Sequence, residues 1–258
     1  LERMRFRAAA FWDVEGVFAT RTEEPGRFGA ALAAVDGRRV ASGKDFDAAG
    51  EPRNGNALVL DRAAAEALAA DLAGADFAVR AVERKPYRRS PYPPFRTATL
   101  QQEAGRQLRF SSQRTMRAAQ HLYESGYITY MRTDSTALSD TAVAAARAVI
   151  ADRYGPAYLP GRPRVYRSQV KNAQEAHEAI RPAGEAFRDP EEVADRVPAD
   201  EARLYDLIWK RTVASQMTDA VGESVQVRLG ARAASGADAE FAATGKLISF
   251  PGFLRAYV

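Results

Sequence analysis

The spacing of apolar residues along the chain changes its period twice. Residues 8–60 and 221–258 carry the alternation and turn signals of strands, whereas residues 95–217 carry the wider apolar spacing of amphipathic helices. Because strand patterns resume after the helices, the simplest arrangement builds one β-rich domain from both ends of the sequence. The pattern therefore predicts an α+β fold in which a mostly helical domain is inserted into a β-rich domain.

A proline-rich segment, residues 84–94, marks the first domain boundary. Proline fixes φ and removes a backbone donor, so we expect this segment to be a connector rather than a strand. The predicted domains are a first β-rich part over 1–89, a helical domain over 90–217 and a second β-rich part over 218–258.

Composition excludes several kinds of site. The 258 residues include no cysteine and two histidines, which rules out disulfides, cysteine-ligated zinc and thiol catalysis and leaves little room for a histidine-based metal site. A formal net charge of +4 is a weak indication of a nucleic-acid partner, and no apolar run approaches the roughly 20 residues that span a bilayer. The chain begins without an initiator methionine, so we interpret it as a fragment of a longer protein.

Local signals predict where individual elements begin and end. Asp36-Gly37 is a hairpin turn signal because both residues tolerate positive φ, and Asp61, Ser111 and Ser139 are suited to cap helices. We expect helices over 61–72, 96–108, 111–125, 141–154 and 200–217, and strands over 9–17, 30–40, 76–83, 223–229, 239–243 and 247–258.

The residues best suited to chemistry lie in residues 126–136 (GYITYMRTDST), a short β-like run that follows a predicted helix. Residues two apart on a strand share a face, which places Tyr130 beside Arg132 and, if the extension continues, beside Asp134. A guanidinium binds a phosphodiester through paired donors and stabilises a phenolate, so the Tyr130 hydroxyl could attack phosphorus and form a covalent ester. The plain alternative is a stacked tyrosine–arginine pair on the surface.

The helix before this run has a basic face. Arg114, Arg117 and His121 are spaced three and then four residues apart, and the opposite side includes Leu122 and Tyr123. A basic face that leads into the tyrosine run would suit a DNA backbone. The alternative is an ordinary solvated helix face whose opposite side is buried.

A second cluster lies at residues 174–182 (QEAHEAIRP). It is only superficially similar to a zinc-binding HExxH motif, because no second histidine follows His177 at the required spacing. His177 could contact a phosphate or titrate near neutral pH. The alternative is a hydrogen-bonded histidine at the end of a helix.

Several segments in order resemble type IA DNA topoisomerases. These segments are residues 11–13 (FWD), 94–104 (PFRTATLQQEA), 127–135 (YITYMRTDS), 174–182 and 204–209 (LYDLIW). Residues 127–135 are similar to the active-site motif of that family and residues 174–182 to its second signature. Met131 favours the bacterial branch of the family.

The resemblance implies a role for each candidate residue. Tyr130, the second tyrosine of the motif, would be the nucleophile that attacks single-stranded DNA and forms a 5′-phosphotyrosine. Arg132 would bind the scissile phosphate, and Asp134 would orient Arg132. His177 would contact DNA near that phosphate, and Arg181 would contact DNA or brace the turn that carries His177.

The resemblance also implies a fold, a cofactor and partners. The helical domain would be the helix-turn-helix-like active-site domain, and the β-rich domain would be the arch that hinges to open a gate for strand passage. The Mg²⁺ of the family is held by an acidic Toprim domain, so we expect its ligands to lie outside this chain and expect no cofactor within it. The expected partners are single-stranded DNA, negatively supercoiled DNA and the missing domains of the same polypeptide. The expected location is the cytoplasm, at the nucleoid and not at a membrane, and we expect no relaxation of supercoils by the isolated chain.

Three other classes of protein stay open as alternatives. A DNA-binding module without chemistry would not need Tyr130, Arg132 and His177 together. A tyrosine recombinase or a type IB topoisomerase also uses a tyrosine nucleophile, but surrounds it with several arginines and a histidine in an order that this chain lacks. A purely structural domain would not account for the ordered set of motifs.

Overall fold

The computed structural model describes residues 6–20, 26–53, 55–166 and 178–258, and it confirms an α+β protein with an antiparallel sheet and several helices. The helices are α1 (Arg62–Asp71), α2 (Thr97–Leu108), α3 (Ser112–Glu124), α4 (Asp140–Arg153), α5 (Pro190–Ala194) and α6 (Ala199–Ser215). The strands are β1 (Glu15–Ala19), β2 (Arg27–Val35), β3 (Arg38–Arg39), β4 (Ala78–Arg89), β5 (Ala220–Arg232) and β6 (Asp238–Phe250). Short 3-10 helices lie at Gly43–Asp45, Pro156–Tyr158 and Gly252–Tyr257.

The strands pair in the order β1-β2-β6-β5-β4, with β3 paired to β2. β2 is antiparallel to both of its long neighbours, and Glu15 of β1 lies opposite Ala31. The predicted turn between β2 and β3 is confirmed, because Asp36 and Gly37 have φ values of 48° and 74°. Two consecutive positive φ values give a two-residue hairpin the twist that its strands require.

The predicted helix caps are confirmed. Side-chain oxygens of Asp61, Ser111 and Ser139 each accept a hydrogen bond from the backbone N–H three residues later, at 2.8, 3.2 and 3.3 Å. These bonds satisfy donors that the first turn of a helix leaves unpaired, so the capping residues fix where α1, α3 and α4 begin. None of the described helices is long and apolar enough to cross a membrane.

The connector predicted over residues 84–94 is wrong in its first half, because β4 continues through Pro86 to Arg89. β4 is the last strand in the sheet order and therefore has one unpaired side. At such an edge, a residue without an N–H leaves no bond of the ladder unmade, so proline is tolerated there.

The last predicted strand ends at Phe250, and a 3-10 helix follows it. Gly252 has φ +48° and lies so close to Asp219 that a Cβ atom would be 2.2 Å from the Asp219 carbonyl oxygen. Phe253 and Ala256 are both buried. Residues three apart share a side of a 3-10 helix but lie on opposite faces of a strand, so the helical turn is what buries both.

The chain divides into two compact units, whose boundaries fall at residues 87/88, 222/223 and 247/248. In the first unit Phe18, Phe77 and Phe241 meet edge to face, with ring centroids 4.9 to 5.5 Å apart. The core of the second unit surrounds α6, where Leu204 and Ile208 are fully buried. Each unit therefore has an apolar core of its own.

Asp219 connects three segments of the second unit. Its side chain is 5% exposed and accepts hydrogen bonds from Arg88, at the end of β4, and from Arg164. Burial alone would raise the pKa of Asp219, but hydrogen bonds from Arg88, Ser90 and Arg164 outweigh it and hold this pKa below its ordinary value. A carboxyl whose pKa is lowered by folding stabilises the fold fully above its unfolded pKa of about 3.9, and this contribution is lost as the pH falls further.

We predict that Asp219→Asn destabilises the second unit by about 1–3 kcal/mol at neutral pH, because two buried guanidinium contacts lose their charged acceptor. The variant should also lose less stability than the unmodified chain between about pH 6 and pH 3. Urea unfolding followed by the fluorescence of buried Trp209, in a Trp12→Phe background, measures both effects. Asp152→Asn, at an exposed position of α4, is the matched control, and equal losses in the two variants would contradict the prediction.

Candidate active site around Tyr130

The segment that carries Tyr130 is extended but is not a regular strand. Ile128 forms an isolated antiparallel bridge with Pro182, and residues 129–139 are not assigned to any strand. The strand predicted here is therefore wrong in its hydrogen bonding. The reason is that side-chain hydroxyls, described below, replace much of the ladder that a neighbouring strand would provide.

Side chains along the segment nevertheless alternate between the interior and the surface. Met131 and Thr133 are buried, whereas Tyr130, Arg132 and Asp134 are exposed, with 40% of Tyr130 accessible. The period of two expected from the sequence thus holds, and it places the three predicted residues on the exposed side of the segment.

Thr97, the first residue of α2, braces the segment on one side. Its hydroxyl lies 2.8 Å from the Met131 carbonyl oxygen and 3.1 Å from the Thr133 carbonyl oxygen, and it accepts a hydrogen bond from the Thr133 N–H at 2.9 Å. The Thr97 N–H also donates to the Thr133 carbonyl at 2.9 Å. One threonine therefore satisfies the backbone groups on both sides of Arg132.

Thr129 fixes the residue before Tyr130 to the segment that follows residue 177. Its hydroxyl donates to the Ala179 carbonyl at 2.7 Å and accepts from the Arg181 N–H at 3.0 Å. The Thr129 N–H donates to the Arg181 carbonyl at 2.9 Å. Tyr130 and Arg132 are thus held on a backbone that is anchored at both ends.

The two tyrosines of the motif have different surroundings. The ring of Tyr130 meets the ring of Tyr123, in the last turn of α3, edge to face at 5.3 Å. The ring of Tyr127 instead lies 6.2 Å from the buried Tyr205 ring and under the guanidinium of Arg188 at 4.9 Å. Tyr130 is the more accessible of the two, as a nucleophile for a large substrate must be.

The basic face of α3 is partly occupied by acidic side chains from the first turn of α6. Arg114 makes a bidentate pair with Asp200 at 2.6 and 2.7 Å, and this hydrogen bonding lowers the pKa of Asp200. His121 Nδ1 lies 3.0 Å from Glu201 Oε1. Arg117 is exposed and forms no ion pair with the described carboxylates. Of the predicted contacts on this face, Arg117 is therefore the most available to a phosphate.

Arg181 is buried and its donors are used inside the chain. Its Nε donates to Glu178 at 2.6 Å, and its terminal nitrogen donates to the carbonyls of Pro182 at 2.8 Å and Gly184 at 3.3 Å. Burial raises the pKa of Glu178, but the hydrogen bond from Arg181 contributes to a net lowering. Of the two roles predicted for Arg181, this geometry supports bracing the turn and gives no support to a DNA contact. His177 lies outside the described residues.

Three residues of this arrangement were not predicted from the sequence as parts of the site. Thr97 and Thr129 satisfy partners that are 34 to 52 residues away along the chain, which no local pattern indicates. Tyr123 was expected on the buried side of its helix, but it is 40% exposed. The available signal was Gly126, whose φ of 72° ends α3 and turns the following residues back over its last turn.

Comparison with known proteins identifies the class to which this fold and site belong. A family model described as DNA topoisomerase matches residues 1–258. The chain therefore belongs to the DNA topoisomerase family.

The similar proteins are bacterial enzymes of one kind. DNA topoisomerase 1 of Streptomyces coelicolor is 59% identical over 261 residues, which is 100% of this chain and 27% of that protein. DNA topoisomerase 1 of Mycolicibacterium smegmatis is 55% identical over 100% of this chain and 28% of that protein. The structure of full-length topoisomerase I from Thermotoga maritima matches with a TM-score of 0.68 at 29% identity, over 99% of this chain and 37% of that chain. The chain thus spans about a quarter of the length of the curated relatives it matches.

We predict that Thr97→Val loosens the Tyr130 segment, because valine keeps the shape of threonine but leaves a buried carbonyl and a buried N–H without their partner. The second unit should lose about 1–3 kcal/mol of stability, and amide hydrogen exchange should accelerate over residues 131–135. Denaturant unfolding and hydrogen exchange read by mass spectrometry test this. Thr244→Val, at an exposed position of β6, is the matched control. Unchanged protection of residues 131–135 in Thr97→Val would contradict the prediction.

Proposed function

We propose that this chain is the tyrosine-bearing part of a type IA DNA topoisomerase. The whole protein would cleave one DNA strand, pass another strand through the break and reseal it, which relaxes negative supercoils without ATP. The observation that carries the proposal is the exposed Tyr130 on a doubly braced backbone, in a chain that belongs to the DNA topoisomerase family. Strand passage is assigned to the whole protein, and we expect the isolated chain not to relax DNA.

In the proposed reaction, the Tyr130 hydroxyl oxygen attacks a phosphodiester of single-stranded DNA. A bond forms between that oxygen and phosphorus while the bond from phosphorus to the 3′-oxygen breaks. The products are a 5′-phosphotyrosine and a free 3′-hydroxyl, since the phenol loses one proton and the leaving oxygen gains one. One ester replaces another, so the reverse attack by the 3′-hydroxyl reseals the strand without another energy source.

Arg132 would hold the scissile phosphate while charge develops on its oxygens. Its planar fork can donate two parallel hydrogen bonds, and its charge persists at any working pH. Asp134, which is exposed on the same side of the segment, would orient Arg132. His177 would contact the strand near the phosphate, and Arg114 and Arg117 would bind the DNA backbone from α3.

The Mg²⁺ that the resemblance implies does not fit the described part of this chain. Among residues 6–20, 26–53, 55–166 and 178–258, no group of three or more histidine, aspartate or glutamate side chains is placed to hold a metal ion. We therefore infer that the Mg²⁺ ligands belong to another part of the whole protein, and the steps assigned above are those of side chains in this chain.

We infer that the second unit corresponds to the active-site domain predicted over residues 90–217. It contains Tyr130 and the helices α2 to α6. The first unit contains β1 to β3 and α1, and would correspond to the arch predicted over 1–89 and 218–258. The partners would be single-stranded and negatively supercoiled DNA and the other domains of the same polypeptide, in the bacterial cytoplasm.

We predict that Tyr130→Phe in the full-length protein abolishes the covalent DNA adduct, a loss of at least about a thousandfold in cleavage. Binding of single-stranded DNA should change little, because only one oxygen is removed. A labelled oligonucleotide run on a denaturing gel measures the adduct. Tyr127→Phe is the matched control and should keep the adduct. If Tyr127→Phe abolished it and Tyr130→Phe did not, the nucleophile would have to be reassigned.

We predict that Arg132→Lys in the full-length protein slows cleavage by about 10²–10³-fold, because a point charge cannot replace two parallel donors on the phosphate. Single-turnover cleavage at saturating oligonucleotide measures the effect apart from binding. Arg117→Lys, on the exposed face of α3, is the control and should change the cleavage rate much less. Near-normal cleavage by Arg132→Lys would show that Arg132 only positions the strand.

A further inference from the structure

The second unit has a large cleft whose lining includes no residue of the Tyr130 segment. Its volume is about 970 Å³, and it lies between α2, α6 and the 3-10 helix Gly252–Tyr257. Polar and aromatic side chains dominate its walls, including Gln102 and Gln107 of α2 and Tyr257 at the end of the 3-10 helix. Such a lining suits a ligand that has both charge and flat rings.

The cleft is positively charged. Five lysine and arginine side chains line it, against two carboxylates. Each carboxylate already has a partner on its own helix, since Glu103 pairs with Arg106 at 2.6 Å and Asp206 pairs with Lys210 at 2.8 Å. The remaining cations are three arginines, so the ligand that this cleft would attract is an anion.

Aromatic rings, rather than close ion pairs, hold one of these arginines in place. The guanidinium of Arg211 lies 4.3 Å from the Phe95 ring centroid and 5.2 Å from that of Tyr92. Its nearest described carboxylate oxygen, on Glu103, is 3.9 Å away, beyond hydrogen-bond distance. Its charge is therefore positioned by stacking and is only weakly neutralised.

The other two arginines are held in the same way. Arg89 lies 5.5 Å from the Tyr92 ring, and Arg203 lies 5.3 Å from the Phe110 ring. Neither forms an ion pair with a carboxylate of the described residues. A guanidinium that rests on a ring keeps its N–H edge for another acceptor, and a phosphate matches that edge well.

Tyr92 adds a surface on which a base could stack. It lines the cleft, and 55% of the residue is exposed. A basic groove with an accessible aromatic ring is the combination by which proteins bind single-stranded nucleic acid without reading its sequence. A free nucleotide shares this chemistry, but the spread of three unneutralised arginines around the cleft favours a strand with several phosphates.

We propose that this cleft is a second binding site for single-stranded DNA, with phosphates on Arg89, Arg203 and Arg211 and a base against Tyr92. The inference rests on the proposed function for its choice of DNA as the partner. It adds a contact that does not involve Tyr130 or Arg132, so strand binding and strand cleavage would use different surfaces of the second unit.

Fluorescence anisotropy of a labelled oligothymidylate with the 258-residue chain tests this inference. Tyr92→Leu keeps apolar bulk but removes the ring, and should weaken binding about tenfold, whereas Tyr92→Phe should bind as the unmodified chain does. Arg106→Gln should lower the slope of log affinity against log salt by about 1. Arg62→Gln is its matched control, because Arg62 is equally exposed and also pairs with a glutamate of its own helix.

Three results would overturn the inference. The first is equal affinity for Tyr92→Leu and Tyr92→Phe, and the second is an equal effect of Arg62→Gln and Arg106→Gln. The third is displacement of the oligonucleotide by an equal concentration of thymidine monophosphate, which would identify a free-nucleotide site instead of a strand site. In an Arg132→Gln background, Tyr92→Leu should weaken binding by the same factor, because distant sites contribute independently. Failure of the Tyr130 chemistry would appear in the adduct assay and would leave this binding result unchanged.

Discussion

The hydroxyls of Thr97 and Thr129 make hydrogen bonds that a neighbouring strand would otherwise supply to the backbone around Tyr130. Without them, buried carbonyl and N–H groups would each cost about 1–3 kcal/mol, and the segment would have several conformations of similar energy. With them, the backbone is fixed while Tyr130 and Arg132 face outward. A nucleophile on such a backbone needs little reorganisation before it meets a substrate, which is the condition that fast chemistry at a fixed geometry requires.

Features that depend on a few neighbouring residues were predictable from the sequence. The Asp36-Gly37 turn and the Asp61 cap are local, since each depends on positive φ or on a bond three residues along. Pro86 was misinterpreted because its tolerance depends on β4 lying at a sheet edge, which is a property of the whole topology. The alternating exposure around Tyr130 was predicted from strand periodicity, but its physical cause is Thr97, which is 34 residues away from Met131 along the chain.

Charge patterns in the sequence showed where cations are, but not which of them are available. Arg114 looked like a phosphate contact, yet Asp200, 86 residues away, already occupies its donors. Arg181 is used by its own turn. Arg211 and Arg89, by contrast, were not singled out, because the rings that hold them lie in other segments. The availability of a guanidinium depends on its folded neighbours, so it could be judged only from the structure.

The edge strand β4 also bears on how this protein avoids unwanted association with copies of itself. An unpaired strand edge is a template on which another chain can add, and this is a common route to aggregation. β4 has Pro86, which offers no N–H, and four cations near it at Arg84, Lys85, Arg88 and Arg89. An incoming strand would meet a gap in the ladder and, if it came from an identical edge, strong like-charge repulsion. The sheet can therefore end at β4 in solution without recruiting a partner there.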